Sequence, residues 1–211
     1  MIKIYLARHG ETTWNAEMRI QGRSDPELTE IGHTQSLALL EQLKDRPLSA
    51  IYTSTLQRSV QTAQPIAQHL GLPIEKRPEL DEIAFGILEG KKLSDMDEST
   101  KSELDRFRQN RLTYRIPGGE NYTDVADRVR PLMNEILWKH RGREVLIVGH
   151  RGVNRMMIGI LLEQPLELAV KVEQANGCLY VIQRNGEPRV FHYLNAEIRE
   201  GLLFEGQRTV L

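Results

Sequence analysis

The chain is poor in cysteine, and Cys178 is the only one in 211 residues. An internal disulfide framework is therefore excluded, and a reducing compartment is favoured. No apolar run approaches the ~20 residues that span a bilayer. The first seven residues are too short for a secretory core, so neither export nor a membrane is expected and the cytoplasm is the default. Charge of one sign is also lacking. A formal net charge of −1 gives no global attraction for nucleic acid or an anionic surface. There is no Pro/Gly/Ser linker, low-complexity tract or internal repeat to divide the chain, so one domain covering residues 1–211 is expected. What remains is ordinary globular material, 40% hydrophobic and 27% charged, long enough to bury a substantial core.

The pattern alternates strands and helices. Residues 2–7 form a short β-branched run and read as a buried strand, followed by a long loop over 8–27. A helix is predicted at about 29–44, with Thr29 as N-cap, Leu39, Leu40 and Leu43 as its apolar stripe, and Pro47 beyond its end. Ala50 to Ser54 reads as a second strand. A helix at about 56–70 ends at Leu70-Gly71, and Pro65 within it should kink it or leave a gap in its hydrogen bonding. A short strand near 73–76 leads to the loop Leu80 to Gly86. Residues 94–110 read as a solvated helix of an insertion at about 88–116, closed by Pro117-Gly118-Gly119.

Val125, Val129, Leu132, Met133 and Ile136 mark an amphipathic helix over 122–139, interrupted by Pro131. Glu144 to Val148 reads as a strand, and Val153 to Leu162 as a buried helix. Cys178 to Gln183 and Arg189 to Tyr193 flank Asn185-Gly186, a hairpin signal. The fold class is therefore α/β, a three-layer α/β/α sandwich with a mixed, mostly parallel central sheet.

Two histidines, His9 and His150, each close an apolar strand beside a glycine. In a parallel sheet both would reach the same edge, where α/β sheets hold ligands. Arg8 adjoins the first, and Arg58 lies in the first turn of the helix after the second strand. Guanidinium forks and helix N-termini suit a phosphoryl group.

These residues fall in a familiar order. Arg8-His9-Gly10-Glu11-Thr12 with Asn15, Gln21-Gly22 with Ser24-Asp25 and Leu28-Thr29, and Thr53 to Arg58 with Thr62-Ala63 come first. Leu80 and Glu82 before Phe85-Gly86, then Gly118-Gly119-Glu120, and Val148-Gly149-His150 follow. The set resembles the histidine phosphatase superfamily in its phosphoglycerate mutase-like branch, over roughly residues 2–160. The resemblance implies that His9 attacks phosphorus and becomes a phosphohistidine. It implies that Arg8, Arg58 and His150 hold the phosphoryl oxygens, and that Glu82 protonates the leaving oxygen and then helps activate water. Asn15 should border the phosphate, and Gln21 and Gly22 the substrate. No metal and no cofactor are implied. The expected partner is a small phosphorylated metabolite, and the exposed edge of the terminal hairpin allows a homodimer.

The sequence departs from the family pattern at two places. Leu88 stands where tryptophan is common, so the wall near Glu82 is expected to differ in shape. Arg151 stands where glycine usually follows the second histidine. It is read as a substrate-binding guanidinium at the pocket rim that favours a second anionic group. His33, His69, His140 and His192 are read as surface or packing residues, Cys178 and the Met156-Met157 pair as core, and Arg106, Arg108, Arg111 and Arg115 as a solvated face. The functional reading is a phosphatase acting on small phosphomonoesters. Its rivals are a phosphoglycerate mutase, a phosphate-binding module without turnover, and a metalloenzyme. The short end Gly206 to Leu211 is not lysine-rich, unlike the mobile tail of the mutases, which favours the phosphatase.

Overall fold

The computed structural model describes residues 1–184 in full and the backbone of 185, 187–194 and 197–200. Its centre is β1 (Ile2–Arg8), paired in parallel with β4 (Glu144–Gly149) on one side and antiparallel with β5 (Leu179–Asn185) on the other. The sheet extends through β2 (Leu48–Thr53) and β3 (Ile74–Lys76) at one flank, and through β6 (Glu187–Leu194) and β7 (Glu197–Glu200) at the other. The order is β3-β2-β4-β1-β5-β6-β7. Only β5 and β7 run against the common direction, so the sheet is mixed and mostly parallel.

Side-chain alternation explains the three layers. Along β1, Ile2, Ile4 and Leu6 point into one core, while Tyr5 and Ala7 point into the other. Along β4, Val145 and Ile147 share the first core, and Leu146 and Val148 the second. Because both faces are covered, these strands read as continuous apolar runs rather than alternating ones. The first core is closed by α5 (Tyr122–Lys139) and α6 (Arg151–Leu161), whose facing residues Val125, Val129, Ile136, Val153 and Met157 are fully buried. Each such aliphatic side chain contributes about 1.5–3 kcal/mol of transfer free energy.

The second core is closed by α2 (Glu30–Leu43) and α3 (Gln57–Leu70). Thr29 caps α2 as expected, accepting from the Gly32 N–H. Pro65 does not break α3. It cannot donate to the Gln61 carbonyl four residues back, and the Ser36 hydroxyl of α2 bonds that carbonyl at 3.3 Å and Thr62 O at 2.9 Å instead. The helix thus continues to Leu70, and the gap becomes a tie between two helices.

The structure corrects two expectations and adds one element that no expectation covered. Residues 8–27 are not wholly loop: α1 (Thr13–Ala16) forms there, held by a reciprocal capping box between Thr12 and Asn15. A second one-turn helix, α7 (Leu166–Ala169), follows α6. The charged segment forms α4 (Glu98–Gln109), but it is not simply solvated, because Leu104 and Phe107 are buried in the first core. Cys178, Met156 and Met157 are core residues as expected. β5 and β6 pair as a hairpin, while its turn residue Gly186, the side chain of His192 and the end Gly206 to Leu211 lie outside the described residues. The edge invoked for a homodimer has its side chains outside them too. Among the described residues no helix is long and apolar enough to cross a membrane.

Candidate active site

Strand register brings the two histidines together. Arg8 pairs with Gly149, and the His9 N–H donates to the Gly149 carbonyl at 3.0 Å, so His9 and His150 leave adjacent parallel strands side by side. Their ring centroids are 5.0 Å apart at 53°. The turn after His9 is tight: a Cβ on Gly10 would lie 2.5 Å from the Gly32 carbonyl, and its N–H is held by Thr62 Oγ1 at 2.9 Å.

His9 Nδ1 lies 2.7 Å from its neighbour's Gly10 carbonyl. A carbonyl only accepts, so Nδ1 carries the proton and Nε2 is left as the free base. The ring lines a cleft of about 410 Å³, shared with Arg8, Arg58, Asn15, Gln21 and Glu82 among others. Burial, then the charges of Arg58 and Arg8, hold the His9 pKa well below the usual imidazole value. The neutral imidazole is therefore the resident form at neutral pH.

Arg58 is 1% exposed and firmly held. Its Nη2 donates to the Gly22 carbonyl at 2.8 Å and its Nη1 to the Ser24 carbonyl, with Asp25 Oδ1 at 3.5 Å. Asp25 also accepts from the backbone N–H groups of Gln57 and Arg58, capping α3 where Leu56 offers no side-chain cap. Arg8 Nη1 donates to the Gln174 carbonyl at 2.8 Å. Its Nε is buried with no hydrogen-bond partner among the described residues, as is Gln21 Oε1. Burial first, then Arg151, lowers the Arg8 pKa to about 9, which leaves it cationic at pH 7. Two fixed cations, one of them with an unspent Nε–H donor, make a site short of an anion, while Gln21 Oε1 is an acceptor short of a donor.

Glu82 sits at the N-terminus of α6. Its Oε2 accepts from the Gly152 N–H at 3.1 Å, and its Oε1 from Val153 at 3.1 Å and Ile83 at 2.9 Å. Asn15 Oδ1 is occupied by Thr12 N and Asn176 Nδ2, each at 3.2 Å, so the group it has left for the cleft is its amide nitrogen. Gly22 adopts φ +54°, and a Cβ there would meet Glu89 Oε1 at 2.1 Å. Its carbonyl serves Arg58. Arg151 is exposed, lines the cleft, and has no hydrogen bond or ion pair among the described residues.

Some expectations about individual residues change. His150 is fully buried and does not line the cleft. Arg58 Nε donates to its Nδ1 at 3.2 Å, so Nε2 carries the proton, 2.7 Å from Ser54 Oγ. Both nitrogens therefore have protein partners rather than free access to a ligand. Leu88 is buried in the first core and is not part of the cleft wall. Of the four arginines read as a solvated face, Arg108 and Arg111 line the cleft, whereas Arg115 pairs with Asp124. His33 and His69 are exposed, and His140 is a packing residue hydrogen-bonded to Tyr52 Oη at 2.9 Å.

Other residues had no visible role in the sequence. Arg128 donates to the carbonyls of Glu79, Asp81 and Glu82, clamping the loop that carries Glu82. Gln174 and Asn176 tie a loop to the end of β1, with Asn176 Nδ2 donating to the His9 carbonyl at 3.0 Å. Nothing in their spacing marked them. Arg155 did carry a signal: an arginine inside an otherwise apolar, buried helix.

The description "Histidine phosphatase superfamily (branch 1)" matches residues 4–197. The chain belongs to the histidine phosphatase superfamily. Within this superfamily it is 36% identical over 174 residues to the probable phosphoglycerate mutase GpmB of Cronobacter sakazakii, covering 82% of this chain and 79% of the relative. Among solved structures it resembles YhfR of Bacillus stearothermophilus, with a TM-score of 0.82, 30% identity, and coverage of 94% and 98% of the two chains. It also resembles a mycobacterial glucosyl-3-phosphoglycerate phosphatase complexed with VO3, with a TM-score of 0.80, 29% identity, and coverage of 89% and 96%.

Proposed function

We propose that this histidine phosphatase hydrolyses small phosphomonoesters through a phosphohistidine on His9. The observation that carries this reading is the locked tautomer of His9, whose Nε2 is free in a cleft that also holds Arg8 and Arg58. Nε2 attacks phosphorus, the ester oxygen leaves with a proton from Glu82, and water then attacks the phosphohistidine with Glu82 accepting its proton. Dividing the displacement into two steps, each stabilised by fixed guanidinium charge, is the main source of rate. Arg8, Arg58 and Asn15 contact the phosphoryl oxygens, and Gln21 borders the substrate. Gly22 and His150 are positioning residues: each holds Arg58, and His150 also packs against His9.

The chain acts as one domain, with the 88–116 segment shaping the far wall of the cleft. The presence of a single cysteine, Cys178, which is free and buried, is in keeping with a reducing cytoplasmic setting. A mutase reading is favoured by the name of the Cronobacter relative and uses the same residues. Release of phosphate from p-nitrophenyl phosphate with a chelator present separates the readings. Turnover that persists and is lost in His9→Ala supports hydrolysis. Transfer to a phosphoglycerate in preference to water would establish the mutase, and a metal requirement would overturn both.

A further inference from the structure

Arg58 and Glu82 serve opposite ends of the proposed displacement, and they come from segments far apart in the chain. Arg58 is held by the carbonyls of Gly22 and Ser24. Glu82 lies on a segment clamped on one side by Arg128. A third group, Glu89, joins the two. Its Oε1 accepts from the Arg23 N–H at 3.1 Å and from the Phe85 N–H at 3.0 Å. Its Oε2 accepts from the Ser24 N–H and the Ser24 hydroxyl, each at 3.1 Å. These four donors fill the acceptor sites of one carboxylate.

The backbone beneath that carboxylate is fixed as well. Gly86–Leu88 forms a single 3-10 turn, Leu88 is fully buried in the first core, and the Gly90 N–H donates to the Ile20 carbonyl at 2.8 Å. On its other side, the missing side chain of Gly22 leaves the room that the carboxylate occupies, since a Cβ there would lie 2.1 Å from Oε1. Glu120 bridges the same gap, accepting from the Ala84 N–H at 3.0 Å and from Arg23 Nη2 at 3.1 Å. That second bridge ends on an exposed guanidinium rather than on the backbone of the turn.

We infer that Glu89 is a positioning residue that ties the turn holding Arg58 to the segment carrying Glu82. The cation that grips the phosphoryl group and the acid at the leaving oxygen then keep one spacing. This inference rests on the proposed phosphatase reading. Glu89 itself touches neither phosphate nor leaving group; it acts through the backbone N–H groups on either side. Charge-assisted bonds of this kind are the stronger ones, and a small misplacement at a reacting centre is costly in rate. Losing the tie should therefore be felt at both reacting ends at once.

Two readouts test this. Calorimetric binding of inorganic phosphate, which calls on Arg58 but on no acid, reports one end. The ratio of kcat/KM for an alkyl phosphate to that for p-nitrophenyl phosphate reports the other, because the alkyl ester needs a proton on its leaving oxygen. E89A removes all four bonds, and should weaken phosphate binding about tenfold and lower the ratio about tenfold, each the scale of one charge-assisted hydrogen bond. In an R58A background the same substitution should change phosphate affinity by less than about twofold, because Glu89 acts through Arg58. E135Q, whose carboxylate pairs with Arg77 instead, should leave both readouts as in wild type. An E89A enzyme with either readout at its wild-type value, or with an affinity loss that adds in full to that of R58A, overturns the inference while hydrolysis stands. Should E89A fail to fold, E89Q decides. Its NH2 meets the N–H of Arg23 or of Ser24 whichever way the amide is turned, so an unchanged phosphate affinity there overturns the inference too. A wild-type protein that binds phosphate but hydrolyses neither ester removes the phosphatase reading instead, and the phosphate cycle with R58A then sustains or removes the tie to Arg58.

Discussion

Gly152→Ala tests the placement of the proposed acid without touching any polar atom. An ideal Cβ at this position would lie 2.4 Å from Glu82 Oε1 and 2.8 Å from Ile83 Cγ2. Both neighbours must give way to reach ordinary contact distance, the carboxylate by about 1 Å and the fully buried Ile83 side chain by about 0.6 Å. The retreat of the carboxylate stretches its bonds to the Gly152 and Val153 N–H groups, each 3.1 Å long. Breaking both would cost about 3–6 kcal/mol, and alanine returns about 1 kcal/mol of helix propensity. Partial stretching should therefore cost about 1–3 kcal/mol in stability, enough to lower Tm but not to unfold the protein.

The kinetic effect should be larger. A displacement of about 1 Å at a reacting group costs on the order of a hundredfold. The assay compares kcat/KM for an alkyl phosphate, whose leaving oxygen needs a proton, with the first step on p-nitrophenyl phosphate, whose leaving group does not. The expected loss is about a hundredfold for the alkyl ester and much less for the release of p-nitrophenolate. Equal losses on the two esters would show that the damage lies outside proton transfer. Full activity on the alkyl ester would remove Glu82 from the mechanism.

Three further outcomes are expected. His9 and His150 are buried and titrate well below the ordinary imidazole value, so the unfolded chain takes up their protons first. Their contribution is complete above about pH 6.5 and declines as the pH falls below it, by at most ~1.4 kcal/mol per pH unit for each histidine. Urea unfolding between pH 7.5 and 5.5 should lose stability less steeply in His9→Asn than in wild type, and identical slopes would contradict the burial argument. Arg128→Ala leaves the Glu79 and Asp81 carbonyls without their guanidinium donor, and should lower kcat about tenfold and stability by about 1–3 kcal/mol; normal kinetics would show that the acid loop holds itself. Asn176→Ala removes donors to the His9 carbonyl and to Asn15, and a severalfold rise in KM is expected, with an unchanged KM counting against a binding role for Asn15.

How far these features could be read in advance differs from residue to residue. β1 and β4 were legible because both faces of each are buried and each ends at a histidine beside a glycine. That placement is local chemistry repeated twice, and parallel pairing does the rest. α1 and α7 were not legible, because helices of four residues are too short to show a periodic pattern and hold by their caps and surroundings rather than by propensity. Gln174 and Asn176 lie in an aperiodic loop, and their value depends on β5 returning beside β1. Arg111 looked like one more charge on a polar segment. Only the burial of Leu104 and Phe107 turns that segment inward and brings Arg111 to the cleft. His150 was found by its strand end, but its engagement by Arg58 and Ser54 could not be read from spacing.

The most direct measurement is chemical trapping of the enzyme during turnover, followed by mapping of the modified residue. Rapid quenching with a labelled phosphomonoester should yield an acid-labile, base-stable phosphoryl group on Nε2 of His9, formed and lost at rates that account for kcat. A competent enzyme that shows no phosphoryl group there, or that still turns over as His9→Ala, would contradict the account at its root.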